Sequence, residues 1–213
     1  MPEASEIISH LETVVGEARS ASPLLRLMLL ALVAFCVHHR RIYTVWFAAY
    51  AGAAFLAAAV INIAFEQSTN PFIFVVLFAV GLLWGREALM LPERACFSAP
   101  RVALAVAVGL PAFFYPGFVD GVAGAVLFAP VGIIPCATTL LAAALIILCG
   151  RTLTLYTVVP TWVAAAFFGL VGVFYVGVAA DWFLVAGTVL SAAAYLLSSP
   201  PARRPRRGKA PRA

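Results

Sequence analysis

Cys136, Thr138 and Thr139 stand together in the stretch PVGIIPCATT (130–139), inside otherwise apolar chain. A thiol and two hydroxyls just behind Pro135 suit two kinds of chemistry. They can satisfy backbone N–H groups left free where a helix begins inside a membrane. They can also offer hydrogen bonds to an anionic or carbonyl group held at that helix N-terminus. Capping is the favoured reading. If a ligand binds, the candidate set is Cys136, Thr138 and Thr139 with Asn62, the deepest clear polar side chain, and Tyr115 in the proline-interrupted segment nearby. The ordinary role of an asparagine such as Asn62 is one interhelical hydrogen bond. No histidine is placed to serve Cys136 as a base, so a catalytic dyad is not expected.

Other chemistries are excluded by what the chain lacks. A retinal Schiff base needs a lysine within the bundle, and the only lysine is Lys209, near the C-terminus. A proton relay needs ionisable groups at depth, and the central parts of the apolar segments carry none. Cys36, Cys96, Cys136 and Cys149 show neither CxxC spacing nor clustered histidines, so no metal, disulfide framework or cofactor is expected. Glu66, Gln67 and Asn70 read as hydrated loop, as does Asp120, and Asp181 stands where it would cap a helix beginning at Trp182. His38 and His39 adjoin Arg40 and Arg41, a strip suited to lipid phosphates. The C-terminal stretch PARRPRRGKAPRA is a second such feature. Arg203, Arg204, Arg206, Arg207 and Lys209 would each contribute about 1 kcal/mol of attraction to an anionic leaflet. Without interleaved aromatics or a folded reader, this tail is not expected to bind nucleic acid.

The elements that must position these residues follow from composition. Of 213 residues, 64% are hydrophobic and 11% charged, a balance that leaves a soluble fold nowhere to hide its apolar surface. Apolar segments run at about 23–38, 43–65, 71–90, 102–119, 136–149, 153–178 and 182–198. Several approach the roughly 20 residues that cross a hydrocarbon layer. The expectation is an all-α polytopic bundle of about seven spans, or six if the first only dips. Ile7, Ile8, Leu11, Val14, Val15 and Ala18 form one face of a preceding amphipathic helix. Three regions result: an N-terminal helix (1–22), the bundle (23–199) and a disordered basic tail (200–213).

Alternate connections and the tail hold 12 of the 14 basic residues, the other side only Arg19 and Arg26. The positive-inside rule then sets the N-terminus outside and the C-terminus in the cytoplasm, for a multi-pass protein of the inner membrane. The fifth segment, 14 residues long, rises only about 21 Å, so its helix is expected to begin at depth; 121–135 would be re-entrant or a surface loop. Gly81 and Gly85, and again Gly169, Gly172 and Gly177, would permit close helix approach. Trp46, Trp84, Tyr115, Trp162, Trp182 and Tyr195 divide between interfacial anchors and core.

The stretches NPFIFVVLFAVGLLW (70–84), YPGF (115–118), GIIPCATTLLAAALIIL (132–148), VVPTWV (158–163) and DWFLVAG (181–187) together resemble a bacterial multi-pass membrane family known only as a domain of unknown function. The Pro-Cys-x-Thr-Thr element is the specific part. Ala137 stands where that family usually has a second proline, and the aromatic and asparagine residues expected before Pro23 are missing. The resemblance implies a helical membrane protein and no particular activity. Three readings follow: a non-enzymatic membrane scaffold or partner subunit, self-associating or joined to another membrane chain; a small-solute transporter or channel using 130–139; and a membrane enzyme acting on a lipid.

Overall fold

The computed structural model describes residues 9, 13–14, 22–39, 42–64, 71–90, 98–114 and 131–198. They form an all-α bundle without strands. The helices are α1 (Ser22–His39), α2 (Thr44–Ala64), α3 (Pro71–Met90), α4 (Ala99–Gly109), α5 (Pro135–Cys149), α6 (Leu155–Val171) and α7 (Asp181–Leu197). Short 3-10 turns extend α4 (Leu110–Phe113) and α5 (Gly150–Thr152), and a π-helical turn (Gly172–Val176) extends α6. Each apolar segment of the sequence thus carries one helix. The largest shift in boundary is at the fourth, which starts at Ala99 and whose 3-10 extension ends at Phe113.

Among the described residues, four helical stretches are long and apolar enough to cross a membrane: Thr44–Ala64, Pro71–Met90, Pro135–Thr152 and Leu155–Val176. Three apolar helices are shorter, Leu27–His39, Ala99–Phe113 and Asp181–Leu197. Large apolar side chains face outward around the bundle, including Leu82 on α3, Val163 on α6 and Val189 on α7. A band of this kind is stable against lipid and costly against water, which fits a membrane-embedded protein. Of the proposed N-terminal helix only Ser9, Thr13 and Val14 are described; all three are helical, and Val14 is buried. The basic tail lies outside the described residues.

Helix α5 is the hub. It packs against α2, α4, α6 and α7, and 78% of the stretch Pro135–Thr152 is buried. Its composition allows this: PCATTLLAAALIILC mixes small residues with branched aliphatics around its whole circumference, so that neighbours can approach from several sides and gaps are filled. Helices α2 and α3 form the closest pair. A Cβ at Gly52 would lie 3.0 Å from the Gly85 backbone nitrogen and 3.2 Å from the Gly81 carbonyl oxygen. Gly81 serves close approach as expected, since a Cβ there would lie 3.0 Å from the Leu56 side chain; a Cβ at Gly85 would meet nothing within 4 Å, and it is the Gly85 backbone that Gly52 approaches.

Gly169 likewise lies close to α7, where its Cβ would stand 3.0 Å from Val185 Cγ2. Gly177 works differently from the packing role expected of it. A Cβ there would meet nothing within 4 Å, and its φ of +76° ends the π-turn in the left-handed region, which glycine adopts without steric cost. Among the aromatics, Trp84 is fully buried while Trp46 and Trp182 face outward.

Candidate functional site

The break at 131–135 is a turn that holds the start of the hub helix. Gly132 has φ +79°, and an added Cβ would overlap Leu25 Cδ1 of α1 and lie 3.7 Å from the Ala54 carbonyl oxygen of α2. Ala54 is the middle residue of α2 (Thr44–Ala64), so the turn sits at that helix's mid-height, roughly 15 Å from either end. Helix α5 therefore begins inside the bundle. Pro135 opens it, removing one N–H that would otherwise have no intrahelical partner.

The two threonines lock this turn. The Gly132 backbone N–H donates to Thr138 Oγ1 at 2.9 Å, and the Thr138 hydroxyl donates to the Ile134 carbonyl at 2.8 Å. The Thr139 hydroxyl is shared between the carbonyls of Pro135 (2.9 Å) and Cys136 (3.0 Å). The expected role was capping of free N–H groups within the first turn of α5. Here Thr138 instead serves an N–H of the preceding turn, and Thr139 bonds back onto carbonyls of its own helix. Both hydroxyl protons are engaged, and both side chains are buried.

Cys136 is part-exposed in the first turn of α5. Asn62 is buried near the end of α2. Tyr115 lies outside the described residues, as do Glu66, Asp120 and the tail cations Arg203, Arg204, Arg206, Arg207 and Lys209. Asp181 is buried at the first position of α7, with Ala180 as the N-cap residue. The helix thus begins one residue earlier than the sequence suggested. The Asp181 side chain lies over Gly172 of the π-turn, where any Cβ would overlap its carboxylate.

The densest polar cluster lies at the opposite end of the hub from the break. Glu87 of α3 is 2% exposed. Its carboxylate accepts from the Thr154 hydroxyl, from the Thr157 hydroxyl at 2.9 Å, and from the Thr154 backbone N–H at 3.4 Å. Thr154 is the N-cap residue of α6, so Glu87 supplies from another helix the negative charge that a helix N-terminus favours. One turn deeper, Trp84 Nε1 donates to Thr161 Oγ1 at 3.0 Å, and the Thr161 hydroxyl donates to the Thr157 carbonyl at 2.7 Å.

Arg151 donates from Nε to the Tyr195 carbonyl (3.2 Å) and from Nη2 to the Leu196 carbonyl (2.9 Å). It thereby serves the C-terminal end of α7, whose last carbonyls have no intrahelical partners. Tyr195 in turn donates its hydroxyl to the Leu153 carbonyl at 2.9 Å. Arg101 of α4 reaches the same end through Ser198 Oγ at 3.1 Å. Trp162 Nε1 donates to Ser191 Oγ at 2.9 Å, tying α6 to α7.

Read along the chain alone, the sequence does not reveal this cluster, because Glu87 stands beside Arg86 at the end of an apolar segment, where charges read as part of the connection. A usable signal was present: Leu77, Val80, Gly81, Trp84 and Glu87 are the buried residues of α3, and their spacing puts Glu87 on the inward face. Among the described residues, no group of three or more His, Cys, Asp or Glu side chains is placed to hold a metal ion.

A cavity lies elsewhere, between α1 and α4 over the floor of α5, with a volume of about 170 Å³ and an apolar lining. Neither Thr138 nor Thr139 lines it. No family model, curated protein or solved structure matches the chain.

Proposed function

We propose that the chain is a non-enzymatic integral membrane protein, a scaffold or partner subunit of the bacterial inner membrane. Its N-terminus would lie outside and its C-terminus in the cytoplasm. The observation that supports this reading is how the interior polar groups are used. Glu87, Thr138, Thr139, Thr157, Thr161 and Ser191 are all bound to backbone or to neighbouring helices. A transport or catalytic site needs polar groups presented to a space that a substrate can enter. These groups instead join α3 to α6, α6 to α7, and α5 to the turn before it and to its own first turn.

The orientation rests on the basic residues. Arg101 and Arg151 share one end of the bundle with Glu87, Tyr195 and Ser198. Arg86, near the end of α3, is exposed. This is the cytoplasmic end under the positive-inside rule.

A solute screen by thermal shift tests the reading against transport. A solute bound only by the folded protein raises its melting point, by about 2.7 kcal/mol of stabilisation at a hundredfold excess over Kd. The expected result is that amino acids, sugars, small anions and nucleotides each leave the midpoint of the purified protein unchanged. A solute that raises the midpoint of the native chain but not of Thr138→Val/Thr139→Val would favour transport through 130–139 and sink the scaffold reading.

A further inference from the structure

The cavity between α1 and α4 has the dimensions and surroundings of a lipid-chain site. Its walls are Val33 and Val37 of α1 facing Val102 and Val106 of α4, and its floor runs from Leu141 to Leu148 of α5. On the α4 side the lining extends from Val102 to Phe113. That rise, about 16 Å, is close to half of a ~30 Å hydrocarbon layer, the depth of one leaflet. The wall is open sideways, since Leu30, Val33, Val37, Val106 and Leu110 are all exposed. A chain could therefore enter from the bilayer without crossing a polar surface.

One end of this groove is cationic. Arg101 adjoins Val102, and a Cβ at Gly150 would lie 3.1 Å from Arg101 Nη1. His38 and His39, both exposed, directly follow Val37 at the end of α1. The nearest buried carboxylate described at this end, Glu87, is turned towards Thr154 and Thr157 on the α3–α6 side. An apolar trough one leaflet deep with a guanidinium at its mouth complements a phospholipid with a net negative headgroup. The geometry points to a site for one acyl chain of an anionic phospholipid drawn from the cytoplasmic leaflet, its phosphate held at Arg101. This site rests on the membrane reading and orientation proposed above.

The test uses the full chain in nanodiscs containing a trace of phosphatidylglycerol, or of phosphatidylcholine, carrying a diazirine on its acyl chain. After irradiation, the labelled residues are mapped by mass spectrometry. Label from phosphatidylglycerol should concentrate on Val33, Val37, Val106 and Leu110 and exceed that from phosphatidylcholine about fivefold, the effect of one cation at a leaflet surface. Val33→Phe/Val106→Phe, which fills the trough from two exposed positions, should lower that label about fivefold at an unchanged melting midpoint. Arg101→Lys should keep the headgroup preference and Arg101→Gln lose it, although glutamine retains an N–H for Ser198.

Label spread evenly over outward residues such as Val60 and Val163 would overturn the site, as would equal labelling by both lipids. Crosslinks to a second copy through the groove would replace the lipid with a protein partner and overturn it too. Absence of label from Val60 and Val163 as well as from the groove would contradict the membrane reading itself.

Discussion

Gly172→Ala should destabilise the protein by about 3 kcal/mol, at the upper end of what overpacking costs. The new methyl would overlap the carboxylate of Asp181, which is 1% exposed at the start of α7. The carboxylate has little room to rotate away, so α6 and α7 must separate or the π-turn must open. Asp181→Ala removes the overlap but leaves the two Cβ positions 3.0 Å apart, still a tight contact. In that background Gly172→Ala should cost only about 1 kcal/mol, giving a coupling near 2 kcal/mol in a double-mutant cycle. Reversible unfolding in mixed micelles reads all four corners of the cycle. Additive effects would mean that the π-turn and α7 do not meet through this pair.

Glu87→Leu should cost about as much for a different reason. Leucine approximates the volume but leaves the Thr154 N–H and the hydroxyls of Thr154 and Thr157 without their common acceptor, the Thr157 hydroxyl keeping only the Leu83 carbonyl at 3.4 Å. Each buried donor left unpaired costs about 1–3 kcal/mol, and the α6 N-terminus also loses a favourable charge. A net loss of about 3 kcal/mol is expected, since the Thr154 groups lie near the bundle end and can regain water. Glu87→Gln keeps one acceptor oxygen and should lose about 1 kcal/mol. The same unfolding assay checks both. If leucine proved as stable as glutamate, the α3–α6 junction would be held by Trp84 and apolar packing alone.

The helices were legible because lipid imposes a simple length rule on apolar runs. With the 3-10 and π turns counted, six of the seven matched within about three residues, and the exception was limited by Pro111, which leads the chain into a 3-10 turn before Phe114. The glycines at 81 and 85 signalled a close helix pair, but Gly52, on the other helix, carried no motif of its own. Glu87 was missed because a charge near a helix end looks hydrated when read along the chain. Only the inward stripe from Leu77 to Trp84 reveals its burial.

At the break, residue types were informative and geometry was not. Threonines behind a proline announce that backbone groups need partners, but which groups depends on how Gly132 turns against Leu25 and Ala54. Sequence spacing does not encode that approach. The apolar groove was equally hidden, since α1 and α4 are far apart in the chain and each looks like an ordinary lipid-facing helix.

The chain breaks at 131–135 to start a buried hub helix, with the polar groups of the break closed on themselves. Backbone hydrogen exchange in nanodiscs tests this directly. The amides of Gly132 and of residues 138–149 should exchange as slowly as those at the centre of α2, only through global opening. Thr138→Val should accelerate Gly132 while sparing the helix beyond. Rapid exchange at Gly132 and Thr138 in the native protein, with α2 still protected, would reveal a water path to the break and show that its polar groups are open to solvent.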